Sequence, residues 1–459
     1  MDFSGSPVLV SQYQPCVSRF AIAVGVQMVA QRSADSSEYA NFMCQQLHCA
    51  NRHQRNPDTR SFCVNKPFTM APIHVALVGL SSSAKTSWAA DAHLPYLLSP
   101  RGKQRYELVA LLNSSVEAAG SAKATFNLSK EVKAYGDPSK LAADPDIDLV
   151  VVSTRVDVHF PVVEPSVRAG KGVFVEWPLT ESLAKAIDLT GGQPYPNSIV
   201  GLQGRVAPLT LRLKEILATG IIGKVFNSEV RAYGNLLPRD SLAERLTYFA
   251  DRKVGGHPTN IHYGHLIDFV HEVLGDWQDF HAVGQIQRPS LNVIGADGKD
   301  VGSVNSNVPD YLSVHGTLQN NKGVVVPGAT LLATFRVGPQ FKDERGLVWT
   351  INGEKGELRL AAPGPYLQAG YSFDGPVTIT HHDHATDKVA ELGWDWPDWQ
   401  KEYGLRARST AELYERYAEW VESGRPNVVP EERQWPRLDD GVALLTEFDR
   451  LYKQIDPEW

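Results

Sequence analysis

The densest group of side chains that could do chemistry lies in residues 255–268, which contain three histidines. His262 and His265 are three residues apart, so on a helix they share one face, with Asp268 one turn further on. Imidazole changes charge near neutral pH, and such a face can therefore act as a general acid or base. Two histidines and a distant aspartate form a weak metal-binding set, so we expect no metal. A helix face whose histidines are only solvated or hydrogen-bonded fits the same spacing.

A second group follows the first convincing apolar run, residues 74–80. Gly79 stands where a dinucleotide-binding loop has its first glycine, and residues 81–84, three serines and an alanine, replace the remaining glycines. Small residues let the backbone approach a pyrophosphate, and the N-terminus of the next helix offers free N–H groups to the anion. An ordinary turn between a strand and a helix has a similar sequence. The predicted phosphate contacts are Gly79, Leu80, Ser81, Ser82, Lys85 and Trp88.

Polar residues also follow three later apolar runs, at the edge where open α/β sheets bind ligands. Asn113 follows the second run, and no carboxylate that could hold ribose hydroxyls occurs before Glu117, which leaves both NAD and NADP open. Without a cofactor, the polar residues at the later strand ends would lie in surface loops, or their carboxylates would cap the following turn. The predicted cofactor contacts at these strand ends are Asn113, Ser153, Arg155, His159, Glu176 and Trp177.

The elements that must position these residues alternate between strand and helix from residue 73 to residue 202. Short apolar runs at 106–112, 149–153, 173–175 and 198–202 read as strands, and the segments between them read as helices. One of these helices spans 181–190, with Thr180 as its predicted N-cap. Alternation at this spacing predicts right-handed βαβ units and a parallel sheet that is buried on both faces.

A different pattern begins after residue 204. A helix at 206–219 and a strand at 225–233 precede longer strand-like runs at 280–287, 311–318, 324–337 and 347–360, the last with a turn at Asn352-Gly353. Strands in series predict an antiparallel sheet, and two final helices at 410–422 and 440–455 are expected to pack back on the body. The predicted domains are therefore 71–204 and 205–459.

Residues 1–70 read as an extension that does not belong to either domain. Their periodicity is weak, and they contain all four cysteines, Cys16, Cys44, Cys49 and Cys63. The spacing of these cysteines and the nearby histidines matches no common zinc pattern. We interpret this segment as a disordered extension or a gene-model artefact, with the folded chain beginning near Met70. The rest of the chain contains no cysteine. This distribution favours a reducing compartment and therefore indicates a cytoplasmic protein.

Size and charge exclude several broad classes. The chain has 459 residues, of which 42% are hydrophobic and 21% charged, which is typical of a globular protein with two or three domains. The net charge of -7 argues against a general nucleic-acid binder. We find no apolar run of the 18 or more residues that a membrane-spanning helix requires.

Several of these motifs together resemble the glucose–fructose oxidoreductase/inositol dehydrogenase family, from about Ala71 to the end of the chain. The resemblance is carried by the first strand, His159, the Glu176-Trp177-Pro178 segment with the residues before it, the helix containing His265, and the segment 351–358. It implies a Rossmann domain followed by an α/β domain whose large, mostly antiparallel sheet commonly forms a dimer face. It also implies NAD or NADP binding and oxidation or reduction of a hydroxyl or carbonyl group on sugars and related compounds.

Within that family the chain is most similar to the fungal co-repressors of the galactose pathway. The shared details are in residues 78–89, 174–177, 198–205 and 263–268. This likeness implies a second function, in which the protein binds NADP as a ligand and holds an acidic activator peptide between its domains. Such a regulator, found in the cytoplasm and also in the nucleus, needs no direct contact with nucleic acid or membrane.

Two departures from the family pattern concern the reaction itself. Family enzymes usually have lysine where this chain has Trp177, and aspartate where it has Ile261, whereas the family's catalytic histidine is retained as His265. We therefore expect His265 to be catalytic, with His262 and Tyr263, or else His257, replacing the lost groups. The expected function is an NAD(P)-dependent oxidoreductase acting on a sugar-like or secondary-metabolite substrate; the alternatives are the co-repressor and a cofactor-binding scaffold without activity.

Overall fold

The N-terminal strands form a six-stranded parallel sheet in the computed structural model, which describes residues 71–81 and 88–459. The strands are β1 (Ile73–Val78), β2 (Tyr106–Leu112), β3 (Lys133–Tyr135), β4 (Leu149–Val152), β5 (Gly172–Glu176) and β6 (Ser198–Gly201). They lie in the order β3-β2-β1-β4-β5-β6, and every neighbouring pair is parallel. This is the strand order of a dinucleotide-binding sheet, so the Rossmann-type α/β fold class is confirmed.

Short helices connect these strands. They are a π-helical turn (Ala89–His93) that continues into α1 (Leu94–Leu97), then α2 (Val116–Thr125), α3 (Pro138–Ala142), α4 (His159–Arg168) and α5 (Leu183–Thr190). The predicted N-cap of α5 is wrong by two residues, because the Ser182 hydroxyl accepts a hydrogen bond from the Lys185 N–H at 3.4 Å. Thr180 instead donates its hydroxyl hydrogen to the Ser182 carbonyl at 2.7 Å.

The second half of the chain forms a large, mostly antiparallel sheet. Its strands, together with those of a small three-stranded sheet, are β7 (Val225–Gly234), β8 (Ser241–Ala243), β9 (Trp277–Gln285), β10 (Ser290–Ile294), β11 (Asp300–Asn305), β12 (Tyr311–Leu318), β13 (Val325–Val337), β14 (Leu347–Gly353), β15 (Gly356–Ala362), β16 (Thr378–Asp383) and β17 (Lys388–Glu391). The large sheet has the order β17-β16-β15-β14-β7-β13-β12-β9, with one parallel pair, β7 and β13. The predicted second sheet is therefore confirmed.

The predicted turn at Asn352-Gly353 is wrong, since both residues belong to β14. Asn352 pairs with Asn227 of β7, and Gly353 pairs with Val225. The hairpin turns at Glu354 and Lys355, whose N–H groups donate to carbonyls just before β7. Pairing with a third strand therefore extends β14 through the Asn-Gly dipeptide.

Helices of the second half lie against both sheets. They are α6 (Pro208–Ala218), a π-helical turn (Thr259–Tyr263) that continues into α7 (Gly264–Leu274), α8 (Asp398–Lys401), α9 (Leu405–Glu422) and α10 (Leu438–Ile455). The hydroxyl of Tyr106 in β2 donates to the Tyr414 carbonyl of α9 at 2.6 Å. The aromatic rings of Trp177 and Phe448 of α10 lie 6.0 Å apart. The last two long helices therefore pack back on the body, as predicted.

The described residues, 71–81 and 88–459, belong to one compact unit. The predicted boundary between residues 204 and 205 stays a prediction, and the cysteine-containing segment 1–70 lies outside the described residues. Within the described part of the chain, we find no helix with the length and apolar character that a membrane crossing requires.

Candidate functional site

The turn after β1 is built around Gly79. Gly79 has φ +88°, and a Cβ atom at this position would lie 2.3 Å from the Ser153 carbonyl oxygen, so only glycine fits. The Ser153 N–H in turn donates to the Val78 carbonyl at 3.2 Å. Leu80 is fully buried and Ser81 half-buried beside this contact. The ends of β1 and β4 are thus held together where a dinucleotide-binding sheet places its cofactor.

Two of the side chains predicted to contact the cofactor have buried atoms with no hydrogen-bond partner among the described residues. The Asn113 amide donates to the Leu80 carbonyl at 2.7 Å, but its Oδ1 is unpartnered. The indole nitrogen of Trp88 is unpartnered as well. Buried polar atoms normally find partners, so these groups and the Gly79 turn fit a polar ligand such as a dinucleotide. The predicted contacts Ser82 and Lys85 lie outside the described residues.

Arg155 and His159, which follow β4, make internal contacts. The Arg155 guanidinium donates two hydrogen bonds of 2.6 Å to the Asp157 carboxylate, and it lies 5.3 Å from the Tyr248 ring. The two ring nitrogens of His159 lie 3.0 Å from the carbonyls of Thr154 and Pro178. Burial lowers the pKa of His159, so the neutral ring donates to one of them. The His159 ring therefore lies between the turn after β4 and the turn after β5.

Glu176, at the end of β5, joins a buried hydrogen-bond network. One carboxylate oxygen lies 2.8 Å from Nε2 of His93, and the Gln203 amide donates to both carboxylate oxygens at 2.9 and 3.2 Å. Nδ1 of His93 lies 2.9 Å from the Tyr414 hydroxyl. The Glu176 side chain is thus held by two residues from other parts of the chain, His93 and Gln203, and spacing along the sequence does not reveal this pairing.

Trp177 is part of the core. Its side chain is buried, and its indole N–H donates to the Asn260 carbonyl at 2.8 Å. Gly264, the first residue of α7, has no side chain, and a Cβ there would lie 2.4 Å from the indole nitrogen. On another side the indole meets the ring of Phe448. Trp177 therefore fills the space between β5 and the helix that carries the histidines.

The predicted histidines lie at the start of that helix and are all buried. Burial lowers the pKa of His257 to about 3, of His262 to about 4 and of His265 to about 3, so all three rings are neutral at pH 7. Nδ1 of His265 has no hydrogen-bond partner among the described residues. A neutral imidazole nitrogen without a partner can accept a proton or a hydrogen bond from a ligand.

Tyr263 and Asp268 differ from these histidines in their surroundings. The Tyr263 ring is fully buried near Phe335 and Phe448, and burial raises the pKa of its hydroxyl well above the usual range. Asp268 pairs with Arg205 at 2.8 Å instead of joining the histidines. Of the residues expected to share one helix face, only His262 and His265 therefore remain as candidates for acid–base chemistry.

Tyr366 is a candidate site residue that sequence reasoning missed. Its hydroxyl lies 3.5 Å from Nδ1 of His262, and the two rings meet edge to face at 5.0 Å. Gln368, two residues later, is buried and its Oε1 has no partner among the described residues. Both follow β15, about 100 positions after the histidines, and the only local signal is a Gly-Pro turn at 364–365.

A metal centre is not indicated by the described part of the chain, because it holds no group of three or more His, Cys, Asp or Glu side chains arranged for a metal ion. The residues considered for zinc, Cys44, Cys49 and Cys63 with the nearby histidines, lie outside the described residues.

Comparisons with known proteins agree with this architecture. A model of the oxidoreductase family with an NAD-binding Rossmann fold matches residues 73–191, and a model of the Gal80p C-terminal domain matches residues 208–362. The dehydrogenase aclE of Aspergillus oryzae is 32% identical over 394 residues, which cover 84% of this chain and 96% of the relative. The galactose/lactose metabolism regulatory protein GAL80 of Saccharomyces cerevisiae is 29% identical over 309 residues, 65% of this chain and 68% of the relative.

Solved structures show the same fold at lower sequence identity. A super-repressor mutant of Gal80p from Saccharomyces cerevisiae superimposes with a TM-score of 0.70 at 23% identity, over 84% of this chain and 96% of that one. Levoglucosan dehydrogenase gives a TM-score of 0.62 at 16% identity, over 85% and 98%. With its Rossmann sheet, its Gal80p-like second half and a dehydrogenase relative matched over almost its full length, the chain belongs to the oxidoreductase family with an NAD-binding Rossmann fold.

Proposed function

We propose that this protein is an NAD(P)-dependent oxidoreductase that acts on a hydroxyl or carbonyl group of a sugar-like or secondary-metabolite substrate. The observation that carries the proposal is the unpartnered Nδ1 of neutral His265, one helical turn from the pair formed by His262 and Tyr366. The similarity to the dehydrogenase aclE along 96% of that relative supports it.

The chain's own residues divide into a binding group and a proton-transfer group. A nicotinamide dinucleotide, when bound, supplies the acceptor or donor of the hydride. The turn at Gly79, Leu80 and Ser81, with Asn113 and Trp88, is proposed to hold it, and Ser82 and Lys85 are expected to complete the phosphate contacts. In the oxidative direction, His265 accepts the proton of the substrate hydroxyl while His262 and Tyr366 orient that hydroxyl.

The low pKa of His265 limits when it can work as a base. A base is most effective when its pKa is close to the working pH, and burial holds that of His265 at about 3. A polar substrate beside the ring offsets the loss of solvation, which raises the pKa in the complex. We therefore propose that His265 takes the proton only after substrate fills the site, so that the group is inactive in the free protein.

The preference of the site for NAD or NADP depends on the residues at the end of β2. Asn113 is neutral, and the first carboxylate after it, Glu117, lies within α2. Neither residue places a negative charge at the strand end that would repel a 2′-phosphate, so we propose that both dinucleotides bind. Calorimetric titration with each cofactor measures the preference directly.

A steady-state assay tests the enzymatic proposal. Purified full chain is incubated with NAD or NADP and a panel of polyols, or with the reduced cofactors and carbonyl compounds, and absorbance at 340 nm is followed. We expect turnover that falls at least 100-fold in His265→Ala, in line with loss of a general base. His384→Ala, which changes an exposed histidine in the turn after β16, is the matched control. Equal rates for the two variants would show that His265 has no catalytic role.

The second candidate is a transcriptional co-repressor that binds NAD(P) without turning it over and holds an activator peptide. It is favoured by Trp177, which carries no charge and is committed to the core, and by the match to the Gal80p C-terminal domain at 208–362. The test is cofactor binding without turnover across the panel, combined with capture of a transcription activator by the tagged protein. Fractionation would then find the protein in nucleus and cytoplasm.

We also propose that the protein is a homodimer formed through the outer face of the large sheet. Phe226 of β7 and Val283 of β9 are 46% and 47% exposed there. Sedimentation equilibrium gives the mass: twice 50.6 kDa supports the dimer, and a single-chain mass contradicts it.

A further inference from the structure

His93 lies at the end of the π-helical turn that follows the predicted phosphate loop. This turn, Ala89–His93, begins one residue after Trp88, which is a predicted cofactor contact. π-Helical turns are rare, and they occur frequently at functional sites. The other π-helical turn of the described chain, Thr259–Tyr263, carries His262. The place of the first turn therefore directs attention to the histidine that it buries.

The His93 ring is held by two aromatic rings and two hydrogen bonds. It is fully buried, and it meets the rings of Phe174 and Tyr414 edge to face, at 4.9 and 5.8 Å between centroids. Its Nδ1 lies 2.9 Å from the Tyr414 hydroxyl, and its Nε2 lies 2.8 Å from Oε1 of Glu176. Because both nitrogens have partners, the ring cannot turn without breaking a buried hydrogen bond.

The direction of these hydrogen bonds follows from the groups on either side of the ring. The ionised carboxylate of Glu176 only accepts, so Nε2 carries the hydrogen. Burial, with a smaller contribution from the charge of Glu176, raises the pKa of the Tyr414 hydroxyl well above its usual range, so the hydroxyl keeps its proton. In the neutral ring Nδ1 then accepts from Tyr414. The donors therefore run from Tyr414 through His93 to Glu176.

Glu176 keeps acceptor capacity at the end of β5. Its carboxylate lies against Gly201 of β6, where a Cβ atom would be 2.2 Å from Oε2. Among the described residues, Oε2 accepts only from the Gln203 amide, at 2.9 Å, and a carboxylate oxygen can accept two hydrogen bonds. The side chain is 11% exposed. Glu176 can therefore accept from a ligand while it remains bonded to His93.

The strand order decides which part of a dinucleotide this carboxylate would meet. The order reverses between β1 and β4, and dinucleotides bind across that point with the pyrophosphate at the turn after β1. Asn113, at the end of β2, lies on the adenine side of this point, and Glu176, at the end of β5, lies on the opposite side. Carboxylates at strand ends accept hydrogen bonds from ribose hydroxyls. The ribose next to the nicotinamide is therefore the group within the reach of Glu176.

We propose, on the basis of the cofactor site proposed above, that Glu176 accepts a hydrogen bond from this ribose and that His93 is the residue that positions the Glu176 carboxylate. His93 belongs to the turn directly after Trp88, so the contact connects the helix beside the pyrophosphate to the nicotinamide side of the site. Tyr414 of α9, 321 positions later in the chain, supports the ring of His93 from behind.

Calorimetric titration of the full chain with NAD, ADP-ribose and ADP tests the proposal, because only the first two ligands contain the second ribose. His93→Phe keeps the aromatic contacts but removes both nitrogens. We expect it to weaken NAD and ADP-ribose binding at least tenfold and to change ADP affinity less than twofold. His93→Gln, whose amide can still donate to the carboxylate, should recover part of the loss. His384→Phe, which changes an exposed histidine, should leave all three affinities unchanged.

Two results would overturn the positioning role of His93. One is equal affinity of His93→Phe and the unchanged protein for NAD and ADP-ribose, and the other is an equal loss of affinity for all three ligands, which a general disturbance of the fold would cause. If His93→Phe does not fold, as judged by circular dichroism, Tyr414→Phe takes its place. It removes only the hydroxyl that donates to His93, and severalfold weaker binding of the two ribose-containing ligands is then expected, with the same two results counting against the proposal.

The same titrations separate this proposal from the enzymatic function. Absence of NAD binding to the unchanged protein would overturn both the role of His93 and the proposed cofactor site. Binding of NAD without turnover would contradict only the enzymatic function, because the role of His93 is measured by affinity.

Discussion

Replacing Trp177 by lysine restores the residue that enzymes of the family usually have, and the structure predicts damage instead of added activity. The indole is 5% exposed, donates to the Asn260 carbonyl and lies against Gly264 and Phe448. A lysine here would place an ammonium group in the same packed space, beside Gly264 and the Phe448 ring, where a buried charge is costly.

The magnitude follows from two terms. Truncating a buried tryptophan costs about 3–5 kcal/mol, of which the lysine methylenes recover about half. Keeping the amine neutral at pH 7 costs about 4–5 kcal/mol, because its ordinary pKa of about 10.4 must fall below 7 at roughly 1.4 kcal/mol per pH unit. We therefore expect Trp177→Lys to lower the free energy of unfolding by about 6 kcal/mol. Trp177→Phe, which loses the indole hydrogen bond and part of the ring, should cost about 2 kcal/mol.

Urea unfolding at pH 7.5, followed by far-ultraviolet circular dichroism, ranks the three proteins, and the 340 nm assay measures turnover. The expected order of midpoints is unchanged protein, Trp177→Phe, then Trp177→Lys, with no gain of turnover in the lysine variant. A lysine variant with an unchanged midpoint and faster turnover would refute the reasoning, because position 177 would then face the substrate instead of the core.

Three further predictions concern the turn, the histidines and the chain boundary. Gly79→Ala should weaken dinucleotide binding at least tenfold by calorimetry, because its Cβ would lie 2.3 Å from the Ser153 carbonyl oxygen; unchanged affinity would contradict the proposed turn. The lowered pKa values of the buried histidines mean that the unfolded chain takes up protons below pH 6.5 that the folded chain does not. Stability should therefore be present above pH 6.5 and fall by about 1.4 kcal/mol per pH unit per histidine as pH decreases towards the folded values. Urea midpoints between pH 7.5 and 4.5 measure this slope, which His257→Phe should reduce and exposed His384→Phe should not. A chain starting at Met70 should remain soluble and bind cofactor with unchanged affinity; insolubility of that chain alone would show that the preceding residues are needed for folding.

The architecture could be predicted because local sequence determines most of it. The strand 106–112 is a largely apolar run of the parallel sheet, and 311–318 alternates between buried and more exposed residues. Both are predicted with the bounds that the structure shows. The turn predicted at Asn352-Gly353 is absent from the structure. The reason is that β7, over 120 residues earlier, pairs with both residues and extends β14 through them. Local turn preference is weak compared with this tertiary pairing.

The direction of side chains at the strand ends could not be predicted, because it depends on residues distant in sequence. Glu176 is oriented by His93 and Gln203, and Trp177 by Asn260 and by Phe448, which lies 271 positions later. Strand ends place both residues at the correct edge of the sheet. Whether they meet a ligand or the core depends on which helix packs there.

The burial of Trp177 changes how its departure from the family pattern should be understood. Tryptophan at this position packs β5 against Gly264 and α7, so it stabilises the helix that carries His262 and His265. In the proposed reaction the proton-transfer group therefore lies on that helix or is Tyr366, since the Trp177 side chain carries no ionisable group. An activator-binding protein has no such requirement, and its cofactor affinity should be unaffected by His265→Ala. Turnover and cofactor affinity measured on that single variant thus separate the two functions: the enzyme loses turnover and keeps affinity, whereas the regulator has no turnover to lose.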